Sequence, residues 1–95
     1  MAHFVYILKS KQNNWNYVGM TDNVNKRIRL HNNGHVKSTK PYAPFDLIFV
    51  EEFPTRELAR FRGKYYKTGF GKKVWMKKVR DGLKIYLNFQ VAWGP

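Results

Sequence analysis

Short apolar runs separated by polar turns divide the first half of the chain into three predicted strands. Residues 4–9 and 15–20 are rich in aromatic and β-branched side chains, and the polar residues 11–14 lie between them. Two such runs joined by a short polar turn are typical of a β-hairpin. Residues 46–53 have a similar composition and predict a third strand.

Helical spacing follows the predicted hairpin. Val24, Arg27, Ile28 and His31 recur at i, i+3, i+4 and i+7, which places them on one face of a helix that extends to about Asn33. N-cap candidates come just before this segment, and a glycine comes just after it. Because Arg27 shares the stripe of the apolar anchors, we expect its guanidinium to meet an anion or to line a cleft.

Two further helices and a basic loop are predicted in the second half of the chain. Residues 35–45 contain two prolines and several cations and are expected to form a loop. A second helix is expected over residues 55–68, with Thr55 as its cap. After a turn at residues 69–71, a short third helix is expected from about Lys72 to Val79.

The C-terminal residues alternate between apolar and polar side chains over residues 83–93. This period of two predicts a strand. A long apolar strand left unpaired promotes aggregation, so it could add an edge to the sheet or pair with a second copy of the chain in a homodimer.

Length and composition indicate one globular domain. The chain has 95 residues, of which 43% are hydrophobic and 17% aromatic, a composition typical of a packed core rather than a disordered tail. The absence of cysteine excludes disulfides and thiolate metal sites. We see no signal peptide and no stretch near the ~20 apolar residues of a membrane span. We therefore expect a cytoplasmic protein without a membrane partner.

The charge of the chain indicates a polyanionic partner. The formal net charge is +12, from 18 Lys+Arg against 6 Asp+Glu. Cations that neutralise phosphates release condensed counterions, which favours binding to nucleic acid. A solubilising surface or attraction to anionic lipid are the alternatives, although the chain has no basic amphipathic helix of the lipid-binding kind. A nucleic acid is the preferred partner.

Four side chains in the first third of the chain form a set that can bind and hydrolyse a phosphodiester. The triplets Phe4-Val5-Tyr6 and Tyr17-Val18-Gly19 are separated by ten residues and fall on the two strands of the predicted hairpin. Arg27 and His31 follow, one helical turn apart. A guanidinium fork matches the geometry of a phosphate as an ammonium group does not.

This ordered set resembles the GIY-YIG nuclease family, specifically its small single-domain members. The resemblance covers roughly residues 3–78. Besides the two tyrosine triplets, it rests on Thr21, Arg27, His31-Asn32-x-Gly34, Glu51-Glu52-Phe53, Ala59, Lys64 and the segment 67–72. It implies an α+β fold, a small three-stranded antiparallel sheet flanked by helices, in agreement with the element order above. The nuclease domain would occupy residues 1–80, and residues 81–95 would be an extension with an extra C-terminal strand.

The resemblance implies hydrolysis of a DNA phosphodiester with a divalent metal, Mg²⁺ or Mn²⁺. Carried over by position, Tyr6 would deprotonate or orient the attacking water, and Tyr17 would hold a phosphate oxygen or the nucleophile. Arg27 would stabilise charge developing on the phosphorane, and His31 would assist by a phosphate contact or a proton transfer. Gly19 would allow backbone and helix to approach closely. A free tyrosine, with a pKa near ~10, is a poor base unless cation charge lowers its pKa, so Arg27 and a metal should be adjacent to it.

Each of these side chains also has a purely structural interpretation. Tyr6 and Tyr17 can be half-buried sheet aromatics with their hydroxyls at the surface. Arg27 can be the partner in a structural ion pair. His31 can be a residue at a helix C-terminus that interacts favourably with the helix dipole.

One position departs from the family pattern. The family's metal ligand is a glutamate on the second helix, immediately before a lysine, and here Gly63 precedes Lys64. Glycine in a helix interior costs ~1 kcal/mol relative to alanine, so it is locally unfavourable. The glutamate has been lost, the lineage binds nucleic acid without cutting it, or another carboxylate substitutes. We expect no intact metal site, and a chain that binds DNA but cleaves it weakly or not at all.

A non-catalytic nucleic-acid-binding module is the alternative function. Lysines would hold phosphates while tyrosine and tryptophan rings stack on bases. The candidate nucleic-acid-binding residues are Lys37, Lys40, Lys64, Lys67, Lys72 and Lys73. A basic face confers no sequence specificity by itself.

Overall fold

The computed structural model describes residues 2–82, in which three strands and three α-helices follow one another along the chain. Their order is β1 (His3–Ser10), β2 (Asn16–Thr21), α1 (Val24–Asn32), β3 (Phe45–Phe53), α2 (Arg56–Tyr66) and α3 (Gly69–Arg80). A 3-10 turn, Lys40–Tyr42, lies in the loop that precedes β3. None of these helices is both long and apolar enough to cross a membrane.

The sheet has three antiparallel strands in the order β2-β1-β3, so β1 is central. Tyr6 of β1 lies opposite Gly19 of β2 and Val50 of β3. A central strand covered on both faces needs apolar side chains on both, which explains the uninterrupted run from Val5 to Leu8. The predicted α+β class, the three-stranded antiparallel sheet and the flanking helices are confirmed.

Each face of the sheet packs against different helices. Tyr6 and Leu8 lie on the face covered by α1, where Val24 is buried with them. Val5 and Ile7, which alternate with them along β1, point the other way and pack against α2 and α3. This second core contains Val5, Ile7, Phe49, Ala59, Tyr66 and Trp75. The alternation of side chains along β1 therefore places Tyr6 beneath α1.

The third helix starts earlier than the sequence indicates. Residues 69–71 were expected to form a turn, but they are the first turn of α3. Thr68 explains the difference, because its hydroxyl oxygen accepts a hydrogen bond from the Gly71 amide (3.0 Å) and its hydroxyl donates to the carbonyl of Tyr65 (2.6 Å). This N-cap lets the helix begin at once after α2. The strand predicted for residues 83–93 lies outside the described residues.

Gly71 is needed for the contact between α2 and α3. A β-carbon at this position would overlap the backbone carbonyl of Tyr65, whereas a β-carbon at Gly69 would meet nothing within 4 Å. We expect Gly71→Ala to lower the free energy of unfolding by about 1–3 kcal/mol, because backbone cannot move aside as a flexible side chain can. The matched change Gly69→Ala should leave it unchanged or slightly higher. Urea denaturation measures both; equal effects of the two variants would contradict this account of the interface.

Candidate functional site

The two tyrosines of the sequence motif lie on the same face of the sheet, beneath α1. Tyr6 is 1% exposed and Tyr17 is half-buried, and their ring centroids are 6.2 Å apart. Gly19 lies opposite Tyr6, and a β-carbon there would overlap the rings of both tyrosines. Close approach is therefore required at Gly19, as expected, but the groups that approach are the two phenol rings rather than a helix.

Helix α1 brings Arg27 and His31 to the hydroxyl of Tyr6. Asn23 caps the helix by accepting a hydrogen bond from the Lys26 amide (3.0 Å), which fixes where the helix begins and hence which face meets the sheet. Arg27 Nε donates to the Tyr6 hydroxyl oxygen at 3.4 Å, and His31 Nε2 lies 2.8 Å from the same oxygen. The four side chains predicted as a cluster, Tyr6, Tyr17, Arg27 and His31, are thus brought together.

Thr39 determines the proton arrangement in this cluster. Its hydroxyl donates to the carbonyl of Val36 (3.3 Å), so its oxygen is an acceptor for His31 Nδ1, which lies 2.8 Å away. A neutral imidazole protonated at Nδ1 has an acceptor at Nε2. With His31 in this tautomer, the Tyr6 hydroxyl donates a hydrogen bond to His31 Nε2, and its oxygen accepts one from Arg27 Nε.

Burial changes the pKa of both members of the Tyr6–His31 pair. It raises the pKa of Tyr6 from 10.0 to about 12, although the hydrogen bond from Arg27 acts in the opposite direction. Burial, with a smaller contribution from the positive charge of Arg27, lowers the pKa of His31 from 6.5 to about 4. Both groups are therefore neutral at pH 7. Of the two cations expected beside Tyr6, Arg27 is in contact with its hydroxyl, but burial outweighs the effect of Arg27 on the pKa of the phenol.

The surroundings of Tyr6, Arg27 and His31 differ from those that the purely structural interpretations predict. The Tyr6 hydroxyl is in the interior and not at the surface. No carboxylate in residues 2–82 forms an ion pair with Arg27. His31 is completely buried, with both ring nitrogens within 2.8 Å of a hydroxyl, so its contacts are with the core rather than with a solvated helix end.

Arg27 also lines a cavity of about 300 Å³ at the end of β2. His3, Thr21, Asp22 and Arg56 line it as well. Two guanidinium groups face one carboxylate there, so the cavity suits an anion. Arg56 does not belong to the sequence motif, although its position at the start of a basic helix is visible in the sequence.

Gly63 lies on α2, across the sheet from Tyr6. It is buried, and a β-carbon there would meet only Val5 Cγ2, at 3.9 Å. Beside it is a cavity of about 200 Å³ that also reaches Gly19 and is bordered by Lys64 and Lys67. The position has room for a longer side chain beside this cavity, which extends to Gly19 of β2.

The residues present do not fit a metal ion at the family's ligand position. Gly63 supplies no donor atom, and residues 2–82 contain no group of three or more His, Asp or Glu side chains able to hold a metal. Glu51 accepts a hydrogen bond from the Tyr66 hydroxyl at 2.5 Å. Asp22 is the carboxylate that lines the Arg27 cavity. A site of the expected kind would need the missing glutamate.

The predicted nucleic-acid-binding lysines fall into two groups. Lys64 and Lys67 border the Gly63 cavity, and Lys67 and Lys72 line a neighbouring cavity of about 420 Å³ together with Tyr17. Lys37, Lys40 and Lys73 are exposed but do not line these cavities. The first group is therefore adjacent to the tyrosine cluster.

Comparisons with other proteins relate the whole described domain to one family. The sequence model of the GIY-YIG catalytic domain matches residues 2–78. The UPF0213 protein YazA of Bacillus subtilis is 42% identical over 82 residues, which cover 83% of this chain and 82% of that protein. The UPF0213 protein SSP2268 of Staphylococcus saprophyticus is 36% identical over 81 residues, covering 84% of this chain and 96% of that protein.

A solved structure has the same fold. The solution NMR structure of the UPF0213 protein BH0048 from Bacillus halodurans has a TM-score of 0.51 and 32% sequence identity. The alignment covers 81% of this chain and 84% of that chain.

The lowered pKa of His31 predicts a specific loss of stability in mild acid. Between pH 6.5 and about 4 the unfolded chain binds a proton at this histidine while the folded chain does not. The contribution of His31 to the free energy of unfolding is therefore fully present above pH 6.5. It is lost as the pH is lowered to about 4, by at most about 3 kcal/mol. Urea denaturation across this range measures the slope.

His31→Gln should flatten this slope, even though the variant loses stability at pH 7. The exposed His35→Gln provides the matched control and should keep the slope of the parent chain. A slope that is unchanged in His31→Gln would mean that another group titrates in this range.

Proposed function

Because the chain belongs to the GIY-YIG catalytic domain family, we propose that it is a DNA-binding nuclease domain whose phosphodiester hydrolysis is impaired by Gly63. The observation that carries the proposal is the cluster of Arg27, Tyr6, Tyr17 and His31 beside an anion-suited cavity. The family acts on nucleic acid, and the +12 charge of the chain fits a polyanionic partner.

Within the proposed site, Arg27 binds the phosphate. Its guanidinium is held by Tyr6 on one side and faces the cavity shared with Arg56 on the other. A guanidinium positioned in this way stabilises negative charge that develops on phosphate oxygens. Arg27 thus connects the buried hydrogen-bonded pair to the surface on which DNA would lie.

The two phenols have different roles. Tyr6 is buried and its pKa is raised to about 12, so it keeps its proton, holds Arg27 and donates a hydrogen bond to His31. Tyr17 is half-buried and lines a cavity, so its hydroxyl is the one that can contact a phosphate oxygen or the attacking water. The acid–base role that the resemblance implies for the tyrosines is thereby divided. Tyr6 positions its neighbours, and Tyr17 contacts the phosphate or the attacking water.

A non-catalytic nucleic-acid-binding module is the second candidate. It is favoured by the missing carboxylate at Gly63 and by the exposed lysines on α2 and α3. The two candidates differ in the role of Arg27. In a nuclease, Arg27→Ala abolishes cleavage and leaves most of the affinity, whereas in a binding module affinity depends on the lysines and is insensitive to Arg27.

Pairing of two chains through the strand predicted for residues 83–93 stays a prediction. Deleting residues 83–95 should convert a dimer into a monomer if that strand forms the interface. Light scattering on the full and shortened chains gives the mass directly. An unchanged mass and unchanged solubility would count against the strand as an interface.

Restoring the carboxylate should restore cleavage. We expect Gly63→Glu to nick supercoiled plasmid with Mg²⁺ or Mn²⁺ faster than the parent chain by orders of magnitude, because a carboxylate there supplies the missing oxygen ligand. Gly63→Gln has nearly the same size without the charge and should stay as slow as the parent. Gel electrophoresis of the plasmid forms over time measures the rates.

An added variant and two alternative outcomes show which explanation of this experiment is correct. Adding Arg27→Ala to the Gly63→Glu chain should abolish the gain, since the phosphate would lose its guanidinium contact. Equal cleavage by the parent and Gly63→Glu at saturating metal would show that position 63 is not the ligand position, and Asp22→Asn would then be the next variant. Absence of cleavage by all variants, with DNA binding intact, would favour the non-catalytic module.

A further inference from the structure

The free side of β2 carries a continuous groove. In the part of the chain that the structure describes, β2 is an edge strand, and three cavities follow one another along it. The cavity of about 420 Å³ begins at Asn14 and shares Val18 and Lys67 with the cavity of about 200 Å³ beside Gly63. That cavity in turn shares Met20 with the cavity of about 300 Å³ at Arg27.

One wall of this groove is a stripe of cations on α2. Arg56, Arg60, Lys64 and Lys67 are spaced by four, four and three residues, so they share one face of the helix. All four are exposed, and each lines at least one of the three cavities. A separation of four residues corresponds to about 6 Å along a helix, which is similar to the separation of successive phosphates on one nucleic-acid strand.

The positive charge of the stripe is not neutralised within the described chain. No carboxylate of residues 2–82 forms an ion pair with any of its four cations. Lys72, from the start of α3, lines the same groove and adds a fifth cation. The one carboxylate among the lining residues is Asp22, at the far end of the groove. The groove is therefore a path of positive charge that passes Tyr17 and ends at Arg27.

We propose that this groove binds a single strand of nucleic acid along β2, with its phosphates on the α2 stripe and its path leading to Tyr17 and Arg27. The proposal rests on the proposed function and adds the form of the substrate and two residues, Arg56 and Arg60, to its binding site. Trp15 and Tyr17, both half-buried, are among the residues that line the larger end of the groove.

The dimensions of the groove favour one strand over a duplex. The cavities lie between the edge strand β2 and α2, with residues of α3 at one end and Arg27 of α1 at the other, and the largest of the three is about 420 Å³. This space accommodates a chain of single nucleotides, whereas a duplex, with two backbones, would rest on the rim and contact fewer of the cations. The unpaired nucleotides of a single strand, a flap or a gap are thus the form that this surface fits.

The salt dependence of binding tests the proposal. Each phosphate contact with a single strand contributes ~0.7 to the slope of log K against log[salt]. We expect the double variant Arg60→Gln/Lys64→Gln, in the full chain, to lower the slope for a labelled oligo-dT by about 1.4, as two lost contacts require. Fluorescence anisotropy at several salt concentrations gives the slopes, and circular dichroism confirms that the variants fold.

The matched control is Lys26→Gln/Arg29→Gln. These two cations are exposed on α1, away from the groove, and the control removes the same total charge. It should change the slope little. Equal slopes for the two double variants would overturn the proposal that the groove binds the strand and would leave the proposed function standing. Absence of any oligonucleotide binding by the parent chain would overturn the proposed function itself.

Two competitors identify the occupant. Unlabelled duplex should compete less well than the single strand, and a poly-glutamate peptide should compete less well than either. Duplex that competes better than single strand would place the duplex on this surface and overturn the single-strand assignment. Poly-glutamate that competes equally would indicate an acidic peptide as the partner and would also overturn it.

Discussion

The rest of the site depends on the need to satisfy the hydroxyl of Tyr6 inside the protein. Tyr6 is on the central strand, which is covered on both faces, and a buried hydroxyl without a partner costs about 1–3 kcal/mol. Arg27 and His31 provide the partners, which requires α1 to lie across this face in one orientation. The loop after α1 is held by the same network, since Thr39 contacts the other nitrogen of His31.

That burial also makes the two motif tyrosines chemically different. The pKa of Tyr6 is raised, so the phenol holds its proton and acts through its hydrogen bonds. Tyr17 lies diagonally beside it on the edge strand, where one side of the residue faces a cavity. The absence of a side chain at Gly19 allows both rings to occupy adjacent space. The pairing of a buried with an accessible tyrosine thus follows from their positions on a central and an edge strand.

Local spacing predicted the strands, the helices and the shared face of Arg27 and His31, whereas the three-stranded antiparallel sheet was implied by the family resemblance. The strands, the Asn23-capped helix and the shared face of Arg27 and His31 depend on local spacing, which a sequence contains. The start of α3 was placed too late, because a glycine-rich segment resembles a turn until the cap at Thr68 is known. Thr39 could not have been found, since nothing local distinguishes a buried hydroxyl in a loop from a solvated one. The groove depends on which strand is at the edge, a tertiary property.

The side chain at position 63 would affect nucleic-acid binding and hydrolysis in opposite directions. A carboxylate there would be placed among Arg60, Lys64 and Lys67, and would reduce the positive potential along the middle of the groove. With glycine at this position the exposed cations have no such negative charge among them, so the proposed groove would attract a polyanion more strongly than it would with a glutamate there. The glycine also supplies no oxygen ligand of the kind on which metal-assisted hydrolysis would depend. Under the proposed function, a single position on α2 would therefore be enough to favour retention of a nucleic-acid strand over its cleavage, without disturbing the network around Tyr6 on the other face of the sheet.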